Sequence, residues 1–182
     1  MNERAIHAGR FAEEVLPHLD SAYNLARWLT RNAADADDIA QEACLRAFRY
    51  FDGFECGNAR AWLLSIVRNT SYRWLRKRAG QLATEFDEAI HSAPTVMDPE
   101  ALMLQNANGQ LVARTIKALP ARFREVLILR ELEGLTYKEI AEVVGVPVGT
   151  VMSRLSRARD GFRHLIGQEH PCTPAGGRRV DR

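Results

Sequence analysis

Near the end of the chain, Thr150, Ser153, Arg154, Arg157 and Arg159 recur at helical spacing, opposite an apolar stripe of Val151, Leu155, Ala158 and Phe162. Arginine in that setting can pair bidentately with guanine, and serine or threonine can bond base edges or phosphates. A second cluster spans residues 68–78, RNTSYRWLRKR, which hold five bases and no acid. Its cations could neutralise phosphates, and Tyr72 and Trp74 could stack on unpaired bases. The bland alternative is a solvated helix end, where the helix dipole favours cations anyway. Just upstream, Phe51, Phe54, Asn58 and Arg60 form a loop that could make a small pocket for an extruded base. A third cluster is acidic: Asp35, Asp37, Asp38, Gln41 and Glu42. Acids belong at helix N-termini, but four within residues 35–42 exceed what capping needs, so a basic protein partner fits there.

Catalytic chemistry is poorly provided for. The sequence holds no Gly-rich phosphate loop, no HExxH and no CxxC. Its histidines (His7, His18, His91, His164 and His170) are scattered, and Cys44, Cys56 and Cys172 have neither metal-ligand nor disulfide spacing. We therefore expect no catalytic residue, metal, cofactor or small-molecule substrate. Reduced cysteines make a cytoplasm the simplest home. With no signal-peptide core and no long apolar run, membrane insertion is not expected.

The elements that must position the arginines form a helix-turn-helix. Thr136 and Glu139 fit a capping box, after which Ile140, Ala141 and Val144 make one apolar face. Gly145 ends that short helix, because glycine enters the left-handed region without steric cost. Pro147 starts the next helix, where its missing N–H does no harm, and Gly149 is small enough to let a backbone or phosphate approach.

The rest of the chain also reads as helix, with no strand and no repeat. The spacing of Val15, Leu19, Tyr23, Ala26 and Leu29 predicts one helix over 11–31. Asp35 is the expected cap of the next, which buries Ile39, Ala43, Ala47 and Phe51. A third, over 58–78, carries Trp62, Leu63, Ile66, Val67 and Leu75. Residues 80–105 change character, with two prolines, several acids and weak periodicity, and read as a linker. A helix over 122–133 should pack across the helix-turn-helix. The expected fold class is all-α: two small helical domains, 10–79 and 106–168, joined by that flexible linker and followed by a disordered tail, 169–182. A net charge of +2 does not by itself point to nucleic acid; the separation of acidic and basic faces points to two different partners.

Two long segments, DADDIAQEACLRAFRYFDGF with ARAWLLSIVRNTSYRWLRKR, and LPARFREVLILRELEGLTYKEIAEVVGVPVGTVMSRLSRAR, resemble regions two and four of bacterial sigma factors of the extracytoplasmic-function group. The likeness covers about residues 10–168. It implies a promoter-specificity subunit of RNA polymerase that melts DNA and starts transcription under an anti-sigma factor. By that resemblance Asp37, Asp38, Gln41 and Glu42 would grip the clamp helices of the beta-prime subunit, and the second domain would meet the beta flap. Asn58 and Arg60, with the loop from Phe51, would capture a base flipped from the minus-ten element, and Asn69, Arg73, Arg76 and Lys77 would meet that element. Thr150, Ser153, Arg154, Ser156 and Arg157 would read the minus-thirty-five element in promoter DNA. The sequence departs from the common pattern at Arg73, where many relatives carry aspartate, at Met152, often basic or polar, and at Pro147, often serine. Two rivals remain: an ordinary DNA-binding regulator with a dimerisation half, and an enzyme with a DNA-binding tail. The second would need converging carboxylates, and those of 35–42 are sequential helix positions.

Overall fold

The computed structural model describes residues 3–54, 57–84 and 107–169. Its helices are α1 (Glu3–Glu14), α2 (Leu19–Thr30), α3 (Ala33–Tyr50), α4 (Ala59–Thr84), α5 (Ala107–Ala118), α6 (Ala121–Glu131), α7 (Tyr137–Val144) and α8 (Val148–Glu169). No strand occurs among the described residues. Cys56, Cys172, the bulk of the expected linker and the expected tail lie outside them.

The helix expected over 11–31 is two helices. It breaks at a 3-10 turn, Leu16–His18, because Pro17 has no N–H to continue an α-helical ladder. The cap of α3 is Asn32, not Asp35: the Asp35 N–H donates to Asn32 Oδ1 at 3.2 Å. Asp35 sits instead in the first turn, where its charge suits the dipole and Arg78 reaches it at 2.8 Å. Helix α4 is capped by Asn58, whose Oδ1 accepts from the Ala61 N–H at 3.1 Å. It runs on to Thr84, past the expected boundary at 79, so residues 80–84 are helix and not linker.

In the N-terminal unit, α2, α3 and α4 pack around fully buried Leu25, Ile39, Phe51, Leu63 and Leu64. In the C-terminal unit, α5, α6 and α7 gather around α8, burying Leu119, Ile128, Leu129, Ile140 and Leu155. The two helical units are also in contact with each other. Helix α2 packs on α6 and α4 packs on α7, joining both cores into one apolar cluster.

Candidate nucleic-acid interface

The helix-turn-helix forms as its local chemistry dictates. The Glu139 N–H donates to Thr136 Oγ1 at 3.3 Å, and the Thr136 N–H returns to Glu139 Oε2 at 2.7 Å. Gly145 takes φ 72° and donates its N–H to Ala141 O at 2.8 Å, ending α7. Pro147 lies just before α8 and accepts from the Thr150 N–H at 2.9 Å. Gly149 has open space around it, so nothing within the chain requires its smallness.

Val151, Leu155 and Ala158 anchor α8, leaving Ser153, Ser156 and Arg157 exposed. Ser153 donates to Thr150 O at 3.0 Å. Met152 is 53% exposed on the same side. Two of the expected readers turn inward. Thr150 is half-buried, and Arg154 is half-buried within electrostatic reach of Tyr72 and Glu125. Arg159 is paired with Glu131 at 2.8 Å and so is not free for a base.

On α4, Asn69, Arg73, Arg76 and Lys77 are exposed and recur at i, i+4, i+7 and i+8, a single polar stripe. Tyr72 and Trp74, which the sequence offered as stacking platforms, instead pack partly buried against the core, under the guanidinium groups of Arg68 and Arg78 at 4.9 and 5.0 Å. The loop before α4 does make a pocket. Phe54 lies 4.9 Å from the Trp62 ring, and together with Asn58 and Ser65 they line a cavity of about 390 Å³. Its opposite wall is Glu142 and Val143 of α7.

Asp37, Asp38, Gln41 and Glu42 are exposed along α3, with Glu42 held by Arg46 at 2.5 Å. Sequence reading missed the apolar floor beside them. Tyr23, Cys44 and Leu45, the last 65% exposed, line a groove of about 470 Å³ with Asp37 and Gln41. The signal was Leu45, one turn beyond Gln41 on an otherwise polar face. Burial pushes the Cys44 thiol pKa up, opposite to what a reactive thiolate needs.

Also missed were the acids of the C-terminal unit that reach across to α4. Glu125 pairs with Arg68, Glu133 with Arg60, and Glu139 Oε1 accepts from Asn58 Nδ2 at 2.5 Å. Glu125 and Glu133 are 1% and 5% exposed. Arg60 also donates to Ser21 Oγ at 3.1 Å. Burial holds the Glu125 carboxyl above its ordinary range, although Arg68 and Arg154 pull the other way. Among the described residues no three His, Cys, Asp or Glu side chains converge to hold a metal, and no helix is long and apolar enough to cross a membrane.

Residues 15–81 match the family described as sigma-70 region 2, and residues 109–160 match sigma-70, region 4. The ECF RNA polymerase sigma-E factor of Escherichia coli is 37% identical over 143 residues, covering 74% of this chain and 75% of that protein. The ECF RNA polymerase sigma factor SigE of Mycolicibacterium smegmatis is 32% identical over 86% of this chain, which spans 61% of that relative's length. Among solved structures, the sigma factor RpoE of Bartonella quintana, in complex with the anti-sigma factor NepR, superposes with a TM-score of 0.71 at 29% identity, covering 88% of this chain and 99% of that one. CnrH in complex with the cytosolic domain of CnrY gives 0.63 at 26% identity, over 93% and 92%.

Proposed function

The chain belongs to the sigma-70 family, in its extracytoplasmic-function group, and from that membership we propose that it directs RNA polymerase to promoters as a non-catalytic specificity subunit. The observation that carries this reading is the pair of exposed polar faces, one on each family-matched unit: the Asn69–Lys77 stripe of α4 and the outer side of α8.

In this reading α8 enters the major groove of the minus-thirty-five element. Arg157 is the freely presented guanidinium for a guanine edge, with Ser153 and Ser156 for bases or phosphates and Met152 for a thymine methyl. Thr150 and Arg154 join them from the half-buried side. The α4 stripe follows the backbone near the minus-ten element, and the Phe54–Trp62 pocket with Asn58 and Arg60 receives a base leaving the stack. Extruding a base costs a few kcal/mol, which pocket contacts offset. The acid face of α3 and its apolar groove dock the clamp helices of the polymerase core. A groove of about 330 Å³ beside Val112, Leu132 and Phe162 suits an apolar helix tip such as the beta flap. An anti-sigma factor, the partner in the Bartonella quintana structure, would compete for these faces. The cytoplasm, where polymerase works, is the corresponding location.

The test is run-off transcription with purified core polymerase on a genomic promoter library; absence of initiation from every template defeats the reading. Arg157→Ala should cost ~1–3 kcal/mol of upstream recognition if it is bidentate to a base. Unchanged promoter preference would remove α8 as the reader. Asp38→Lys should weaken co-purification with core polymerase, and unaltered recovery would reject that face.

A further inference from the structure

We propose that α1 positions the base pocket: His7, through Asp52 and Phe51, holds the turn before α4 in the conformation that receives an extruded base. The proposal rests on the reading of the Phe54–Trp62 cavity as that pocket.

His7 is one of the scattered histidines of the sequence and precedes the unit expected from residue 10. In the fold it belongs to α1 and its ring is held at both ends. Nδ1 lies 2.6 Å from Asp52 Oδ1 and Nε2 lies 3.3 Å from Phe48 O. Each ring nitrogen thus faces an acceptor, and a ring flip would lose both contacts. Asp52 sits in the 3-10 turn Phe51–Gly53 that follows α3. Its side chain is 87% exposed, so the bond to His7, and not burial, restrains it.

From that tie a series of rings leads to the pocket. His7 and Phe11 meet the Phe51 ring edge-on at 5.5 and 5.4 Å, and the Arg10 guanidinium lies 5.3 Å from the same ring. Edge-to-face and cation contacts set the plane of the ring they surround. Phe51, 2% exposed, stacks on Phe54 at 5.9 Å, and Phe54 with Trp62 walls the pocket. Trp62 has its place set by α4. Phe54 has no such support from its own backbone, because Gly53 before it has no side chain and open space around it. The brace therefore comes from α1. A receptor held ready for its ligand binds more tightly, in proportion to the time it spends in the competent conformation. His7 and Asp52 are positioning residues in this account and need not touch DNA.

The test uses the full chain with core polymerase and a promoter duplex whose minus-ten region is held open by mismatches. Competition binding compares the intact template with templates carrying an abasic site at each open position in turn. In the parent, one abasic position should weaken binding about tenfold, the worth of one base stacked in an aromatic pocket. His7→Ala and Asp52→Ala should each shrink that ratio to about threefold, because the pocket is ready a smaller share of the time. Asp52→Asn keeps an acceptor for the ring nitrogen and should keep most of the ratio. Losing the Asp52 charge changes affinity for both templates alike and cancels in the ratio. Asp52 is exposed, so its variants leave the core intact, and circular dichroism checks helix content. A loss falling equally on intact and abasic templates would mark a brace for the fold alone and overturn the proposal. Parent-like ratios in both alanine variants, or an Asp52→Asn ratio as low as that of Asp52→Ala, would overturn it too. Those results leave the pocket standing as long as the parent keeps its own ratio. A parent indifferent to every abasic position defeats the base-pocket reading, and this proposal with it.

Discussion

Arg124 and Glu125 are neighbours on α6, and both are buried. Arg124 brings a desolvated charge whose pKa is pushed down to about 10 by burial and Arg31, so it stays protonated at neutral pH with two donors unanswered. An unsatisfied buried polar group costs about 1–3 kcal/mol. Arg124→Met keeps the length and removes the charge, and should raise the thermal midpoint by roughly 2–4 °C per kcal/mol gained. A lower midpoint on thermal melting would mean that the guanidinium is used. Glu125 faces Arg68 and Tyr72 of α4 and Arg154 of α8, with Arg124 beside it. Its carboxyl lies above the ordinary 4.5, chiefly because burial penalises the carboxylate. The folded chain therefore binds this proton more tightly than the unfolded chain does. Its contribution to stability is fully present below 4.5 and is lost as pH rises through the raised value. Acidification from neutrality toward 4.5 should raise this site's contribution to the thermal midpoint, and Glu125→Gln, which mimics the protonated carboxyl, should remove that part of the pH dependence in thermal melting.

Among the elements, α7 is the one whose boundaries are fixed by single residues, and its mutants are the most direct to interpret. Thr136→Ala removes the N-cap oxygen and should cost ~1 kcal/mol. Gly145→Ala places a Cβ at φ 72° and should cost ~1–2 kcal/mol. Urea unfolding of the full chain should show both losses with unchanged slope; wild-type midpoints would mean α7 is held by packing alone. These same residues explain why the helix-turn-helix was legible in the sequence. Cap, left-handed glycine and apolar period are all decided within a few residues. The break at Pro17 was hidden because Val15 and Leu19 keep helical register across it. The cap of α3 was displaced because Asn32 and Asp35 lie three residues apart and both can cap. The exposed acids of α3 and stripe of α4 were readable from charge runs. Glu125 and Glu133 were not, since an acid at the flank of an apolar run looks solvated until the opposing helix is known.

At the scale of the whole molecule, the sequence pointed to two tethered units, and what it could not supply was their contact. That contact joins residues 57 or more positions apart in the chain, Arg68 with Glu125 and Arg60 with Glu133, so no local pattern encodes it. A connection of residues 85–106 sets how strongly such a junction must hold. Covalent linkage of two units gives an effective concentration of up to about the millimolar range. A junction closed about nine-tenths of the time on that tether would have a two-body Kd of roughly 0.1 mM once the tether is cut. A protease site placed within 85–106 and cleaved after folding should therefore let the two halves separate on gel filtration at micromolar concentration. Initiation with core polymerase should fall at the same time, since upstream anchoring and strand capture no longer travel together. Halves that co-elute after cleavage would show the junction to be strong enough to hold without its tether.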